Sequence, residues 1–457
     1  MTSRYLSLTP DDARQMLQRI GVPDVDALFD SVPEPFRLRE DLALPGGLDE
    51  SALMAELRGL ALKNRPVDPG KSFLGGGAYY HHIPPAVDQL LLRGEFYTAY
   101  TPYQAEVAQG TLQAMFEFQT LVCELFGLEI ANASLYDGAS GLAEAALMAR
   151  RVTGKATVLV ADTVHPHARE TLRTYLDGLD DGHADIRILP SLESGQLNLD
   201  ALDEALAAGG IAGVAVGYPN VLGCIEDLAS VAERAHAAQA LCISLTYEPY
   251  ALSVLEAPGR LGVDIAVGEG QALATAPSFG GPGVGLFACR EAFLRQMPGR
   301  LIGETVDVSG KRGYVLTLNT REQHIRREKA TSNICTNNGL IALAMTIRCA
   351  LLGQTGFKHA GELMAAKAVY LAEGLAGVPT LSLPYSAPFF NEFVLRSDRY
   401  PAESLVRKLQ ERTGIEGGIP LVRLGVDAPR DLLVAVTELQ PKASLDAFIA
   451  GIKDLLT

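Results

Sequence analysis

Apolar positions at helical spacing begin almost at once. Thr9 stands where an N-cap belongs, Pro10 suits a first helical position, and Asp11 and Asp12 suit the positive end of a helix dipole. Ala13, Met16, Leu17 and Ile20 then form one face before Gly21. A second helical stretch, 49–63, follows a proline-rich link through Pro33, Pro35 and Pro45. Residues 1–62 therefore read as a helical extension outside the main core.

From 105 the pattern changes. An amphipathic run over 105–126 predicts a helix, and the small-residue turn Asp137-Gly138-Ala139-Ser140-Gly141 opens an alanine-rich helical stretch, 142–151. Short, mainly apolar runs at 157–161, 186–189, 213–217 and 241–245 alternate with helical patterns at 166–176, 199–208 and 228–239. Such alternation predicts a mainly parallel sheet with helices on both faces. A Gly280-Gly281-Pro282-Gly283 turn leads into another strand at 284–289. Helices at 340–352 and 358–375, strands at 392–396 and 432–439, and a closing helix at 445–455 follow. The expected division is a large α/β domain over 63–350 and a smaller α+β domain over 351–457.

Composition narrows the partners. The 457 residues include 39 Lys and Arg against 54 Asp and Glu, a formal charge of −15, the wrong sign for tracking nucleic-acid phosphates or an anionic membrane. No uncharged apolar run of about 18 residues occurs, and residues 1–8 have neither a signal core nor transit character, so a cytoplasmic protein is expected. Cys123, Cys224, Cys242, Cys289, Cys335 and Cys349 are scattered singly. That spacing fits neither zinc nor a disulfide framework, and most are expected to be buried small residues.

Four segments carry candidate chemistry. In 96–106, Tyr97, Tyr100 and Tyr103 are interleaved with Thr98, Thr101, Gln104 and Glu106 around Pro102. Three tyrosines at such intervals cannot all hide their hydroxyls in one apolar face, so the loop either lines a polar pocket or interface, or packs its rings with hydroxyls in water. The 137–141 turn, with Ser140, could present N–H groups to an anion or simply be a close-packed helix start. His165 and His167 stand near a strand end, where one ring could stack on a planar cofactor; His81-His82 is a weaker pair. Two histidines without cysteine or a carboxylate triad make a poor metal site, and no metal is expected. Finally, 320–337 concentrates Arg321, His324, Arg326, Arg327 and Lys329, followed by Thr331, Ser332, Asn333, Thr336 and Asn337. It is either a solvated face or a set of anion and interface contacts.

Several runs together are similar to the P-protein of the glycine cleavage system, the glycine decarboxylase family. They are FLGGGAYY, YTAYTPYQAEVAQGTLQAMFEFQTL, IANASLYDGASGLAEAALMA, GYPN followed by IEDL, SFGGPGVGLFA, PGRLIGETVD and TREQHIRREKATSNICTN, collinear over about 73–340. The chain resembles the family's N-terminal half, which also occurs as a separate first (alpha) subunit. The resemblance implies a type I pyridoxal-phosphate-dependent transferase fold, aspartate aminotransferase-like. It also implies a reaction that decarboxylates glycine and passes the aminomethyl group to the lipoyl arm of the H-protein.

That chemistry needs a lysine to hold pyridoxal phosphate and an acid to keep its ring nitrogen protonated. The stretch 264–275, where the lysine should follow a strand, contains none. The strand at 243–248 ends without aspartate, leaving Glu248 as the nearby acid. Of ten lysines only Lys329 lies in a motif-like core segment, beside Arg326, Arg327 and Glu328, where a solvated or interfacial cation is expected. The expectation is therefore an alpha subunit with no catalytic residue of its own, the cofactor being on a beta subunit. Tyr97, Thr98, Tyr100, Thr101, Tyr103, Gln104 and Glu106 would form one wall of a shared glycine site. Ser140, His165, His324, Arg326, Arg327, Lys329 and Asn333 would be anion or interface contacts. The competing readings are a purely structural subunit and an autonomous pyridoxal-phosphate aminotransferase or decarboxylase.

Overall fold

The computed structural model describes residues 7–38, 40, 42–179, 185–318, 323–334 and 337–456. By internal contacts the chain divides into two compact units, 1–66 and 67–457.

In the first unit, helix Pro10–Ile20 starts with a capping box. Asp12 N–H donates to Thr9 Oγ1, and the Asp12 carboxylate accepts from Thr9 N–H. Gly21 closes the helix at φ +88°. Helix Glu50–Ala61 is capped by Asp49. Neither helix buries a residue, and Met16 and Ile20 on the apolar stripe are half exposed.

The second unit is built on a seven-stranded sheet. Its strands are β1 (Ile130–Ala131), β2 (Thr157–Ala161), β3 (Asp185–Leu189), β4 (Ile211–Gly217), β5 (Leu241–Thr246), β6 (Ile265–Glu269) and β7 (Gly285–Cys289). The order is β1-β7-β6-β5-β4-β2-β3. Strands β2 to β6 pair in parallel, while β7 runs antiparallel to β6 and β1 to β7. Every residue of β2, β4, β5, β6 and β7 is buried, as expected of strands covered on both faces, whereas edge strand β3 is mostly not. Helix Gly138–Thr153 packs ten buried residues against this sheet, six of them Gly or Ala. A Cβ on Gly141 would already touch Val267, so small residues there allow the close approach. Each large aliphatic side chain buried in the core contributes roughly 1.5–3 kcal/mol.

A hairpin, β8 (Leu301–Val306) with β9 (Arg312–Thr317), follows, and neither strand is foreseen by the sequence pattern. The outer half of β8 is exposed, and the unbroken alternation that would announce the hairpin is missing. The last sheet is antiparallel: β10 (Leu381–Ser382), β11 (Glu392–Ser397), β12 (Ile419–Pro420) and β13 (Asp431–Ala435), in the order β10-β11-β13-β12.

Three departures from the sequence expectation have a local physical cause. The helix expected over 105–126 begins at Gln109, because Ala108 adopts φ −121°, ψ 21° and the Gln109 amide turns back to the Ala105 and Tyr314 carbonyls. The strand expected over 432–439 ends at Ala435, because Thr437 N–H turns to Gln440 Oε1. The helices expected at 340–352 and 358–375 are one element, Gly339–Ala376, interrupted by Gly353 at φ 63°, ψ 173°, a backbone state open only to glycine. Among the described residues this is the one helix long and apolar enough to cross a membrane. Its buried residues instead serve both cores, Met345 and Met364 in the large one, Leu371 and Leu375 in the small one. Cys224, Cys242 and Cys289 are buried, Cys123 and Cys349 partly so, and Cys335 lies outside the described residues.

Candidate functional site

Parallel sheets place their chemistry at the C-terminal ends of the strands. Here the ends of β4 and β5 open on a crevice that also holds Gly76, Gly77, His165, Asn220, Tyr247, Glu248 and Glu392. The crevice is closed by the chain itself. Residues 73–82 cross over it, with Gly76 N–H donating to Glu392 Oε1 at 2.7 Å and the Tyr79 hydroxyl to Glu392 Oε2 at 2.6 Å. Gly77, at φ +103°, passes so close that an added Cβ would lie 3.1 Å from Tyr247 and 3.4 Å from His165. The glycine run of 75–77 is thereby explained: only a backbone without side chains fits there.

His165 does not face an open ring site. Its Nε2 bonds the Gly76 carbonyl at 2.9 Å, its Nδ1 accepts from His167 N–H, and its ring packs 4.7 Å from Tyr247. Burial pushes its pKa down to about 4, so the ring is neutral, with the proton on Nε2.

His81 takes the opposite state. Nδ1 lies 2.7 Å from Glu438 and Nε2 3.0 Å from Glu248, and the ring stacks on Tyr250. Burial opposes its charge, yet the two carboxylates hold its pKa up at about 9. Glu248, the acid singled out near the β5 end, is thus part of this ion triad. His82 is exposed and gives its N–H to Glu438.

The 137–141 turn is also satisfied internally. Asp137 caps helix Gly138–Thr153, with the Ser140 N–H donating to Asp137 Oδ1 at 2.7 Å, so Ser140 is a buried cap residue. Gly138 N–H donates to Glu269 Oε2 at 3.1 Å, and Glu269 Oε1 takes the N–H groups of Gln271 and Val284. A side-chain carboxylate stands where an external anion would bind. Burial outweighs these donors and pushes the Glu269 pKa up to about 7.

Pyridoxal phosphate would need an amine, an anion cradle and room for its ring at these strand ends. None of the ten lysines lines the crevice, Glu269 fills the cradle, and the free volume is about 20 Å3, room for about one water. The residues of this chain's crevice do not fit the cofactor. Among the described residues no group of three or more His, Cys, Asp or Glu could hold a metal ion.

The tyrosine loop lies on a different and open face. Tyr97 ends helix Gly94–Tyr97, and Tyr97, Tyr100 and Tyr103 are 62%, 81% and 56% exposed while Pro102 is buried. Beside them is a cavity of about 260 Å3 with an apolar floor of Ala114, Met115, Phe118 and Leu343 and a mouth of Tyr97, Tyr100, Thr101 and Asn337. Thr101 and Tyr103 accept hydrogen bonds from Arg300, a residue the sequence reading passed over. Thr98 turns its hydroxyl back to Gly94, and Gln104 and Glu106 are exposed.

The basic segment meets this face. His324 packs edge-on to Tyr103, the ring centres 6.2 Å apart. Arg326, Arg327, Lys329 and Asn333 are exposed, the first three on short helical turns, whereas Arg321 and Thr336 lie outside the described residues. Asn337 is tied to the Ala133 carbonyl and Ser134. The structure thus joins the tyrosine loop with His324 and Asn337, and leaves Ser140 and His165 in the closed interior.

Comparisons with known proteins agree with this architecture. The family profile of the glycine cleavage system P-protein matches residues 3–452. A probable glycine dehydrogenase (decarboxylating) subunit 1 of Sorangium cellulosum is 52% identical, covering 98% of this chain and 99% of its own length. Its counterpart in Rhodospirillum centenum is 50% identical, over 99% and 100%. The crystal structure of a glycine decarboxylase (P-protein) of the glycine cleavage system, in inhibitor-bound form, superimposes with a TM-score of 0.88 at 44% identity, covering 99% of this chain and all of that one. A sphingosine-1-phosphate lyase of Burkholderia pseudomallei, at 17% identity and a TM-score of 0.64, shares the fold. The fold is the type I pyridoxal-phosphate fold, and the chain belongs to the glycine cleavage system P-protein family.

Proposed function

We propose that this chain is the cofactor-free alpha subunit of a glycine decarboxylase. With a beta subunit that carries pyridoxal phosphate, it decarboxylates glycine and passes the aminomethyl group to the lipoyl arm of an H-protein. The observation that carries this reading is the self-filled crevice: no lysine, a cradle occupied by Glu269, and space for about one water. Relatives named subunit 1 support a second subunit as partner.

Bound pyridoxal phosphate on the beta subunit would supply the electron sink. This chain's part is to wall the site. Tyr97, Tyr100 and Thr101 offer hydroxyls over an apolar floor, a surface that can orient a small zwitterion by hydrogen bonds while keeping water from the reacting carbon.

The test is stoichiometric. Each purified chain, and then the mixture, is incubated with pyridoxal phosphate, reduced with borohydride and weighed by mass spectrometry, with glycine–bicarbonate exchange assayed in parallel. The expected result is one pyridoxyl group on the beta chain, none at stoichiometric level on this chain, and exchange only in the mixture. A stoichiometric adduct on this chain would overturn the assignment. If Tyr103→Phe and Gln104→Ala both leave exchange unchanged in an intact complex, this chain is instead a structural subunit.

A further inference from the structure

Arg300 places a charge where burial makes it costly. The residue is only 4% exposed, yet it underlies a loop whose tyrosines are more than half exposed. Nη1 donates to Thr101 Oγ1 and Nη2 to Tyr103 Oη, each at 3.2 Å, and the guanidinium carbon lies 5.5 Å from the centre of the Tyr103 ring.

The frame beneath it is fixed. The Arg300 carbonyl accepts the Ala133 N–H at 2.9 Å, and Asn132 Nδ2 holds the Pro298 carbonyl at 3.0 Å. Asn337 reaches the Ala133 carbonyl from the other side. Gly299 sits at φ +76°, with Asn132 Nδ2 3.0 Å from where a Cβ would stand, so this turn into β8 tolerates little change. The loop above is held differently. Its backbone hydrogen bonds are local: Thr98 N–H to Gly94, Ala99 N–H to Phe96 and Tyr103 N–H to Thr101.

We propose that Arg300 is the positioning residue of the tyrosine face. Two N–H groups of one planar fork fix two loop hydroxyls at once, setting both the distance and the twist of the loop against the core. Tyr97 and Tyr100 lie just before that anchor and owe their stance over the cavity to it. A lysine ammonium could reach one hydroxyl but could not hold both in one plane. The proposal rests on the reading of this face as a wall of the shared site.

The experiment compares Arg300→Lys and Arg300→Met in the full chain and in the complex. In the chain alone, Arg300→Met is expected to speed amide exchange over 98–104 by about tenfold, while helices Gln109–Phe126 and Gly138–Thr153 keep their parental rates. In the complex, kcat for glycine exchange is expected to fall by about 100-fold with a smaller change in KM, and Arg300→Lys to recover part of the loss. Adding Tyr103→Phe to Arg300→Met should cost nothing further. Parental loop exchange and parental kcat in Arg300→Met would overturn the proposal. If that variant fails to fold, parental loop exchange and parental kcat in Arg300→Lys would do the same. Tyr100→Ala separates this failure from that of the underlying reading. When it is also silent, the wall itself is wrong; when it is impaired, the wall stands and only the role of Arg300 falls.

Discussion

The strand-end crevice and the tyrosine face use similar side chains to opposite ends. In the crevice Tyr79, Glu248 and Glu392, and in the interior around it His81, Glu269 and Glu438, are bonded to one another or to backbone, and the space left in the crevice is about that of one water. On the tyrosine face, Tyr97, Tyr100 and Tyr103 stand in solvent beside a cavity of about 260 Å3. The first arrangement stabilises the fold, since buried polar groups that satisfy one another cannot also serve a ligand. The second contributes little to stability, because exposed rings bury little area, so its residues are free to serve a partner. Polar residue type alone does not mark a site; whether its hydrogen-bonding capacity is already used does.

The largest effect is expected from breaking the closed side. His81→Ala leaves Glu248 and Glu438 facing each other without the imidazolium between them. Removing one partner of a buried ion group costs about 3–5 kcal/mol. A fall in Tm of several degrees for the isolated chain, by calorimetry, is expected. A shift under one degree would mean that water reaches the triad and that the crevice is not closed.

The same triad sets a pH dependence. The His81 pKa is raised in the folded chain from 6.5 to about 9. Its stabilisation is therefore complete below 6.5 and lost as pH rises through about 9. At about 1.4 kcal/mol per unit, the loss spans roughly 3 kcal/mol. Glu438, whose pKa is lowered, works on the other flank: its contribution is present above 4.5 and disappears as acid protonates it in the folded chain. Urea midpoints between pH 6 and 10 should fall in the parent and stay flatter in His81→Gln. Parallel curves for the two would remove His81 as the source.

Part of this was legible in the sequence. Mainly apolar runs such as 157–161 and 241–245 announce buried parallel strands, and Thr9 announces a helix start that the structure caps as expected. The tyrosine loop stood out because three hydroxyls cannot be hidden cheaply. Arg300 and Glu269 were not legible. Each is a single charged residue at the end of an apolar run, and its meaning comes from partners nearly 200 and 131 positions away, Tyr103 and Gly138. The ion triad is similar: His81 looked like half of a weak pair because Glu248 and Glu438 are distant in sequence. Local pattern reads what a segment does for itself, and these residues act across the fold.

On the open side the comparison sharpens in the reverse direction. Tyr100→Ala, at a position 81% exposed, should change chain stability by less than about 0.5 kcal/mol. In the complex it should lower glycine exchange by about tenfold, since it removes a ring and a hydroxyl from the wall. Equal loss of stability and activity would mean that the ring packs within this chain and that the two regions do not differ as described.

The smallest effect belongs to the rim. Arg327 and Lys329 are exposed within a chain of net charge −15 and lie in the segment whose His324 touches Tyr103. Exposed charges at an interface edge act mainly on the rate of encounter, because water screens them once contact is made. Arg327→Ala with Lys329→Ala should therefore slow association with the beta subunit by a few-fold at low salt, leave dissociation unchanged, and lose that difference near 0.5 M salt, where the screening length is about 4 Å. Stopped-flow mixing of the two subunits measures all three quantities. A change confined to dissociation would place these cations inside the contact instead of at its edge, and the open face would then extend across the whole 323–333 segment.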